Sequence, residues 1–168
     1  IHLKRSATGY LDQYAKSGMD GAYQVSILPG SGDSVRAIIP LSSPYFTISP
    51  PFYTPASGDS LQDFALQFDK NIIDLGITGS NTGAVRPGFD FNFVINYWNR
   101  GTLPANAFIS LKFEPDIQFI DASPAPNQTF PDSLVWAVDS LGILKTGYIT
   151  VKFKASASIS SGSIRTFT

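Results

Sequence analysis

Regular alternation of apolar and polar residues is the feature that most constrains the fold of this chain. In "FNFVINYWNRG", which begins at Phe91, every second residue as far as Tyr97 is large and apolar, so these side chains share one face of a strand. Similar alternation recurs throughout, whereas the best helical candidate, "GYLDQYAKSG", is short and bracketed by Gly9 and Gly18. The sequence therefore predicts an all-β protein.

Turn residues divide this alternation into nine predicted strands, at a spacing typical of antiparallel sandwiches. The predicted strands are residues 23–28, 34–39, 62–68, 72–78, 89–98, 107–113, 117–121, 133–138 and 147–154. The stretch "SSPYFTISPPFYTPASGDS" contains four prolines. Because proline cannot donate a hydrogen bond to a sheet ladder, we expect an edge strand or an extended crossing there.

Two apolar stretches in "LQDFALQFDKNIIDLGITGS" meet at residues 69–71, which indicates the last strand of one module running almost directly into the first strand of the next. We predict two tandem antiparallel β-sandwich modules, residues 1–69 and 70–168. Because the chain has no cysteine, disulfides and thiolate metal sites are excluded and core burial must hold it together. The absence of an initial methionine and the strand-like ending "SIRTFT" lead us to expect a piece of a longer polypeptide.

Charge and composition argue against several classes of partner. The 12 basic and 13 acidic residues are scattered without a cluster, for a net charge of −1, so nucleic-acid binding is disfavoured. No apolar run approaches about 18 residues, so we do not expect this segment to insert into a membrane. Calcium-loop and phosphate-loop patterns do not occur, and we predict neither a metal nor any other cofactor.

The sequence offers little material for catalysis. Its only histidine is His2, close to the start, and it lacks a cysteine nucleophile, so a catalytic triad is not expected. The carboxylate pairs Asp116 with Asp121 and Asp59 with Asp63 could serve glycoside hydrolysis, but they are more typical of turns and strand edges. We therefore predict a protein without catalytic residues.

The two tryptophans receive different interpretations. Trp136 alternates with apolar residues and is expected to fill the core between two sheets. Trp98 shares its side of a predicted strand with Asn92 and Asn96, and an exposed aromatic beside amides can stack on sugar rings or anchor a protein partner. The alternatives are packing beneath the following "RGTLPAN" loop, or an inward turn at a β-bulge.

A second candidate contact surface lies in the proline-rich stretch. It consists of four aromatic residues, which are Tyr45, Phe46, Phe52 and Tyr53. A patch of this kind could meet a glycan or another surface protein. The alternative is packing between neighbouring modules around a proline-rich edge.

Four aspartates are followed by serine and then by an aliphatic residue. The serines are Ser34, Ser60, Ser133 and Ser140. This tripeptide resembles the O-glycosylation acceptor of bacteria that export surface proteins through the type IX system. Asp-Ser is also common in tight turns that precede a strand, because both side chains bond to nearby backbone, and the two interpretations stay open.

Several stretches follow one another in the second half of the chain, from "IIDLGIT" through "VRPGFDFNFVINYWNRG" and "SLVWAVDSLGIL" to "GYITVKFKA". The motifs are individually weak, but their order resembles the immunoglobulin-like conserved repeat domain of large bacterial surface proteins. The matching positions are Asp74, Leu75, Pro87, Gly88, Asn99, Gly101, Ala105, Ala107, Pro115, Trp136, Leu144 and Gly147. Glu114 departs from the leucine usual before Pro115, and the chain stops where the last strand of the family would be completed.

The first half, with "SGMDGAYQVSILPGSGDSVRAIIP", is similar to prealbumin-like modules of the carboxypeptidase-regulatory or collagen-adhesin B type. Asp20, Gly21 and Tyr23 followed by the turn at residues 29–30 carry this resemblance, which implies that the first strand or strands of the module would precede Ile1. Some relatives form a Lys–Asn isopeptide bond promoted by a buried glutamate. The only glutamate here is Glu114, in the other half, so no such cross-link is expected.

Together these resemblances imply an extracellular or cell-surface location in a bacterium. The expected role is a non-enzymatic spacer within an adhesin or similar exported protein, with neighbouring modules of the same polypeptide as its partners. The alternative is a carbohydrate-binding accessory module that uses Trp98 and the aromatic residues of the proline-rich stretch.

Overall fold

A computed structural model describes residues 1–6, 11–18, 20–27, 32–39, 41, 43–68, 70–160 and 162–168. The chain divides into two compact units, Ile1–Asn71 and Ile72–Thr168. The described residues form strands and turns but no α-helix, so the all-β prediction is confirmed. Within those residues there is also no helix with the length and apolar character needed to cross a membrane.

Twelve strands occur in the described residues. The first unit contains β1 (His2–Lys4), β2 (Gln13–Tyr14), β3 (Ser34–Arg36), β4 (Phe46–Ser49) and β5 (Ala65–Phe68). The second unit contains β6 (Leu75–Thr82), β7 (Asp90–Asn99), β8 (Ala105–Lys112), β9 (Ile117–Ser123), β10 (Gln128–Thr129), β11 (Ser133–Leu141) and β12 (Thr146–Ala155).

The second unit consists of two antiparallel sheets. One sheet has four strands in the order β6, β7, β12, β9, and the other has three strands in the order β10, β11, β8. Strand β7 lies inside the larger sheet and pairs with β12 from Asp90 to Trp98 and with β6 from Asn92 to Asn99. Its alternation gives it one buried face, because Phe91, Phe93 and Ile95 all face the core.

A single apolar core lies between these two sheets. The buried residues that form it are Phe91, Phe93, Ile95, Ile109, Leu111, Phe113, Ile117, Leu134, Trp136, Ile149, Val151, Phe153 and Ala155. Because β7, β9 and β12 supply one side and β8 and β11 the other, the unit has the layered packing of a β-sandwich. Trp136 is buried and its indole Nε1 donates to the carbonyl of Pro124 at 2.9 Å, which confirms its predicted core position.

The last five residues, 164–168, return to this sandwich, and we call them the return segment. The guanidinium of Arg165 lies 2.6 Å from a carboxylate oxygen of Asp116. The ring of Phe167 packs against the core, and Thr168 exchanges backbone hydrogen bonds with Lys112 at the end of β8. The return segment is therefore attached by an ion pair, an aromatic contact and a backbone pair.

The described part of the first unit contains two small antiparallel sheets. Its three-stranded sheet has the order β2, β1, β3, and Leu3 lies directly opposite Val35, with both side chains buried. Strands β4 and β5 form a separate two-stranded ladder in which Phe46 pairs with Phe68, with ring centroids 5.9 Å apart. Strand β4 lies within the proline-rich stretch and has one strand neighbour, as expected for an edge strand.

The strand predictions differ in quality between the two units. In the second unit, all six predicted strands are present with shifted ends, and only the short β10 was not predicted. In the first unit, the strand predicted at residues 23–28 is wrong over its described part, 23–27, where the backbone is not paired. Side-chain contacts hold this segment instead: the Tyr23 hydroxyl donates to the carbonyl of Gln62 at 2.5 Å, and Arg5 donates to that of Ser26 at 2.9 Å. Leu28 and the predicted turn at 29–30 lie outside the described residues.

Candidate functional site

The outward face of the four-stranded sheet carries Trp98, the strongest contact candidate of the sequence. The register of β7 with β6 and with β12 continues without a shift as far as Trp98. Trp98 therefore stays on the outward face with Asn92 and Asn96, and the proposed inward turn at a bulge does not occur.

The indole of Trp98 lies over the neighbouring strand β6. It rests on Gly76, where an added Cβ would stand 2.3 Å from Trp98 Cε2, so only glycine leaves room for the ring. The guanidinium carbon of Arg100, in the "RGTLPAN" loop, is 6.0 Å from the ring centroid, within cation–π range. Trp98 is half-buried by these contacts, so it contacts the start of that loop while keeping part of its ring accessible.

Tyr148 was missed as a contact candidate in the sequence, and it extends this surface. It lies on β12 directly opposite Asn96, which is in turn opposite Thr78 on β6. Its side chain is 67 % exposed. Because Trp98 is opposite the preceding outward residue of β12, Thr146, the two aromatic side chains are diagonal neighbours about 7 Å apart at their Cβ atoms. The alternation of "GYITVKFKA" already assigns Tyr148 to the polar side, which was the available signal.

We call Trp98, Asn96, Tyr148 and Thr78 the outer-face group. They lie on three adjacent strands of one sheet, and their positions are set by uninterrupted ladders. The group combines two aromatic rings with amide and hydroxyl side chains, which can together offer stacking surfaces and hydrogen bonds to a sugar.

The aromatic residues of the proline-rich stretch do not form a comparable surface. Phe46 is buried against Phe68, and Tyr45 and Tyr53 are half-buried. Only Phe52 among them is exposed. This part of the candidate contact surface is therefore divided between the interior and the outside of the first unit.

The Tyr53 hydroxyl is used in a local turn. It donates to a carboxylate oxygen of Asp59, which also accepts a hydrogen bond from the backbone N–H of Ala56 at 2.6 Å. The hydrogen bond from Tyr53, and then that from Ala56, lower the pKa of Asp59, whereas the contact with Asp59 raises the pKa of Tyr53. Asp59 thus stabilises a turn, and the hydrogen bonds that it accepts there favour its ionised form.

The four candidate glycosylation sites differ in accessibility. Ser60 and Ser140 are exposed, whereas Ser34 and Ser133 are half-buried in strands β3 and β11. The backbone N–H of Ser140 donates to the side-chain carbonyl of Asn106 at 2.7 Å, at an irregularity in the pairing of β11. Only two of the four serines are therefore well presented to a modifying enzyme.

Three of the preceding aspartates have hydrogen-bond partners, and that of Asp132 is the hydroxyl of the adjacent Ser133, at 3.1 Å. The Asp33 carboxylate is buried and accepts hydrogen bonds from Arg5 Nη1 at 2.6 Å and from the backbone N–H of Ser6 at 3.0 Å. The Asp59 carboxylate stabilises its turn. The Asp59 contact with Ala56 supports the turn interpretation, whereas the partners of Asp33 are distant in sequence and do not.

The only histidine is held within the first unit. His2 is buried in β1, its Nε2 lies 2.8 Å from a carboxylate oxygen of Asp12, and its Nδ1 accepts a hydrogen bond from Arg36 Nε at 3.0 Å. The ring also stacks on Tyr14, with centroids 4.6 Å apart. Because both ring nitrogens are engaged, His2 joins β1 to its neighbours and has no nitrogen left to activate a nucleophile.

Asp116, one of the carboxylates considered for catalysis, has an ionisable partner, and so do its neighbour Glu114 and Asp12 of the first unit. Asp116 and Glu114 both lie within ion-pair distance of Arg165, at 2.6 and 3.3 Å. The hydrogen bond from the backbone N–H of Arg5, and then that from the side chain of His2, lower the pKa of Asp12. The described part of the chain contains no group of three or more metal-ligating side chains.

Comparisons with known proteins do not supply a family. The chain matches no protein-family model, no curated protein and no solved structure. Its function therefore has to be inferred from the outer-face group, the core and the contacts at the ends of the second unit.

Proposed function

We propose that this chain is a non-enzymatic spacer from a large exported bacterial cell-surface or adhesin protein, with a prealbumin-like module followed by an immunoglobulin-like one. The main support is the way in which the second unit holds the segment where the chain enters it. The carbonyl of Ile72 accepts the N–H of Thr102, and the N–H of Ile72 donates to the Thr102 hydroxyl, both at 2.8 Å. The N–H of Arg100 donates to the carbonyl of Asp74, also at 2.8 Å.

A buried asparagine completes this arrangement. The Asn99 side chain donates to the carbonyls of Leu103 and Leu141 and accepts the N–H of Gly101. A Cβ on Gly101 would lie 2.4 Å from the carbonyl oxygen of Ile72, so the Asn-x-Gly motif is needed for the entering chain to approach. The hydrogen bonds of Asn99 and Thr102 thus fix the path of the backbone where the chain enters the second unit. A module that transmits force needs such a fixed attachment of its entering segment.

Force measurement on single molecules tests the spacer proposal. With the full chain pulled between reference domains, we expect the second unit to unfold in one cooperative step. Thr102→Val removes the hydroxyl that accepts from Ile72, so its unfolding force should fall, whereas Thr78→Val on the outer face should leave the force unchanged. Gradual extension of the unit at low force, without a discrete step, would contradict the proposal.

A second candidate function, carbohydrate binding, is favoured by the outer-face group. Tyr148 is exposed beside Trp98, and both rings lie on a polar sheet face with Asn96 between them in register. A glycan array with the full chain tests this candidate. Binding that is lost in Tyr148→Ala and in Trp98→Ala, but kept in Phe52→Ala, would favour the glycan-binding function over the spacer. Tyr148→Ala is the cleaner variant because Trp98 also packs on Gly76.

A further inference from the structure

A pocket of about 230 Å³ opens at one end of the sandwich, beside the return segment. Six apolar side chains line it, which are Val85, Phe91, Ile117, Ala155, Ile159 and Phe167. Three of them, Phe91, Ile117 and Ala155, are buried members of the core, so the pocket reaches the apolar interior of the second unit. Such a wall favours an apolar ligand over water.

The return segment passes this pocket and then moves away from it. Arg165 lies beside Asp116, and three residues later Thr168 exchanges backbone hydrogen bonds with Lys112. This exchange is the pattern of an antiparallel pair, so the segment runs along β8 in the direction of Ala105. The described lining of the pocket includes Arg165 and Phe167 but not Thr168. The pocket is therefore separate from the path that the chain follows along β8.

An asparagine lies where the inner face of β6 meets this pocket. By register, Asn81 pairs with Phe93 and follows Ile77 and Gly79 on the face that points to the core. Asn81 lines the pocket, and its side-chain N–H donates to the carbonyl of Gly83 at 2.6 Å. Because this bond engages the amide nitrogen, the side-chain oxygen is left as an acceptor. The pocket therefore combines apolar walls with one hydrogen-bond acceptor.

The charges beside the pocket disfavour an anion. Arg165 lines the pocket, but its Nε donates to Asp116 at 2.7 Å and lies 3.3 Å from a carboxylate oxygen of Glu114. Two carboxylates thus surround one guanidinium. A ligand carboxylate or phosphate would add another negative group to this cluster, at a cost in binding free energy. A neutral ligand avoids this cost.

We propose that the pocket binds a neutral aromatic molecule of two fused rings that carries a hydrogen-bond donor. A cavity of about 150 Å³ lined by leucine, isoleucine and phenylalanine can hold benzene. The larger volume of about 230 Å³ admits a second ring. The rings pack between Phe91 and Phe167, and the donor bonds to the side-chain oxygen of Asn81. This site lies on the inner side of the sheet that carries the outer-face group, and it goes beyond the spacer function.

An NMR titration of the full 168-residue chain tests this proposal, with indole as the probe. Indole supplies two rings and one N–H, whereas benzofuran has nearly the same shape and lacks the donor. We expect saturable shifts of the Ala155 and Phe167 amide signals with indole. Benzofuran should bind at least about fivefold more weakly, the effect of one ordinary hydrogen bond. Indole-3-acetate, which adds a carboxylate, should also bind more weakly than indole.

Variants of the pocket locate the binding. Asn81→Ala removes the acceptor, so it should weaken indole binding at least about fivefold and leave benzofuran binding unchanged. Asn92→Ala, on the outward face of β7, is the matched control and should keep the preference for indole. Ala155→Leu fills the pocket and should abolish the binding of both probes. Asn81 is exposed, so its variant keeps the test valid if Ala155→Leu does not fold.

Three results would each overturn the proposal. The first is the absence of saturable indole binding, and the second is equal affinity for indole and benzofuran. The third is a preference for indole that persists in Asn81→Ala.

Discussion

The ring of Phe167 stacks on the ring of Phe93, with centroids 4.6 Å apart and an interplanar angle of 24°. This contact brings the return segment against the strand at the centre of the larger sheet. Arg165, two residues earlier in the segment, pairs with Asp116, so an ion pair and an aromatic contact both hold the return segment. The stability of the second unit should therefore depend on the return segment, although it is distant in sequence from strand β7, which it contacts.

Phe167→Ala should destabilise the second unit by about 2 kcal/mol, less than for a fully buried phenylalanine because the ring is partly accessible. Denaturant unfolding followed by tryptophan fluorescence measures this change selectively, since both tryptophans, Trp98 and Trp136, lie in the second unit. The matched control is Ile164→Ala in the same segment, whose exposed side chain should contribute less than about 0.5 kcal/mol. Equal midpoints for the two variants would contradict this account.

Asn99→Ala should cost about 2–3 kcal/mol, because it leaves the carbonyls of Leu103 and Leu141 without the side chain that donates to them. Asn96→Ala, on the same strand but exposed, is the control and should change stability by less than about 0.5 kcal/mol. The same fluorescence measurement applies. A loss of similar size for both variants would show that Asn99 has no special role at this end of the sandwich.

The turn at Asp59 should make the first unit sensitive to acid. Its folded-state pKa lies below the unfolded value, so its contribution to stability is present above about pH 4 and is lost as the pH falls through the lowered pKa. Tyr53→Phe removes the hydroxyl that is the main cause of the lowered pKa, so the pKa of Asp59 should rise toward its ordinary value. Side-chain carboxyl shifts measured by NMR against pH test this. An Asp59 midpoint that is the same in both proteins would refute the role given to Tyr53.

Glycosylation, if the Asp-Ser-aliphatic sequence is an acceptor in the organism that produces this protein, should favour Ser60 and Ser140 over Ser34 and Ser133. The reason is exposure, because an acceptor serine must reach the active site of the modifying enzyme. Intact mass and peptide mapping of native protein measure the occupancy of each site. Unmodified peptides at all four serines would end the glycosylation hypothesis and leave the turn interpretation.

The sequence was most informative where a strand is long and one face is buried. The alternation from Phe91 to Tyr97 is sustained enough to predict β7 almost to its ends, and Trp136 could be assigned to the core from its apolar neighbours. In the first unit the strands are two to four residues long, too short for alternation to be distinguished from chance. Contacts between distant side chains, such as Arg5 with Asp33, determine the backbone there instead.

The candidate surface could be predicted only in part. Trp98 was found because a tryptophan on a polar face is unusual, whereas Tyr148 became a candidate only once register placed it beside Asn96. The position of β8 at the end of its sheet could not be predicted, because the alternation of a single chain contains no information on strand order.

Amide hydrogen exchange of the full chain, resolved by residue, tests the sandwich and the position of β8 at the end of its sheet in one measurement. We predict the slowest exchange in β7 and β12, at the centre of the larger sheet, and an alternating pattern in β8. The N–H groups of Ile109 and Leu111, which point toward β11, should be protected, whereas those of Phe108 and Ser110 should exchange quickly. Uniform protection along β8, or β7 exchanging as fast as the short strands of the first unit, would contradict this account.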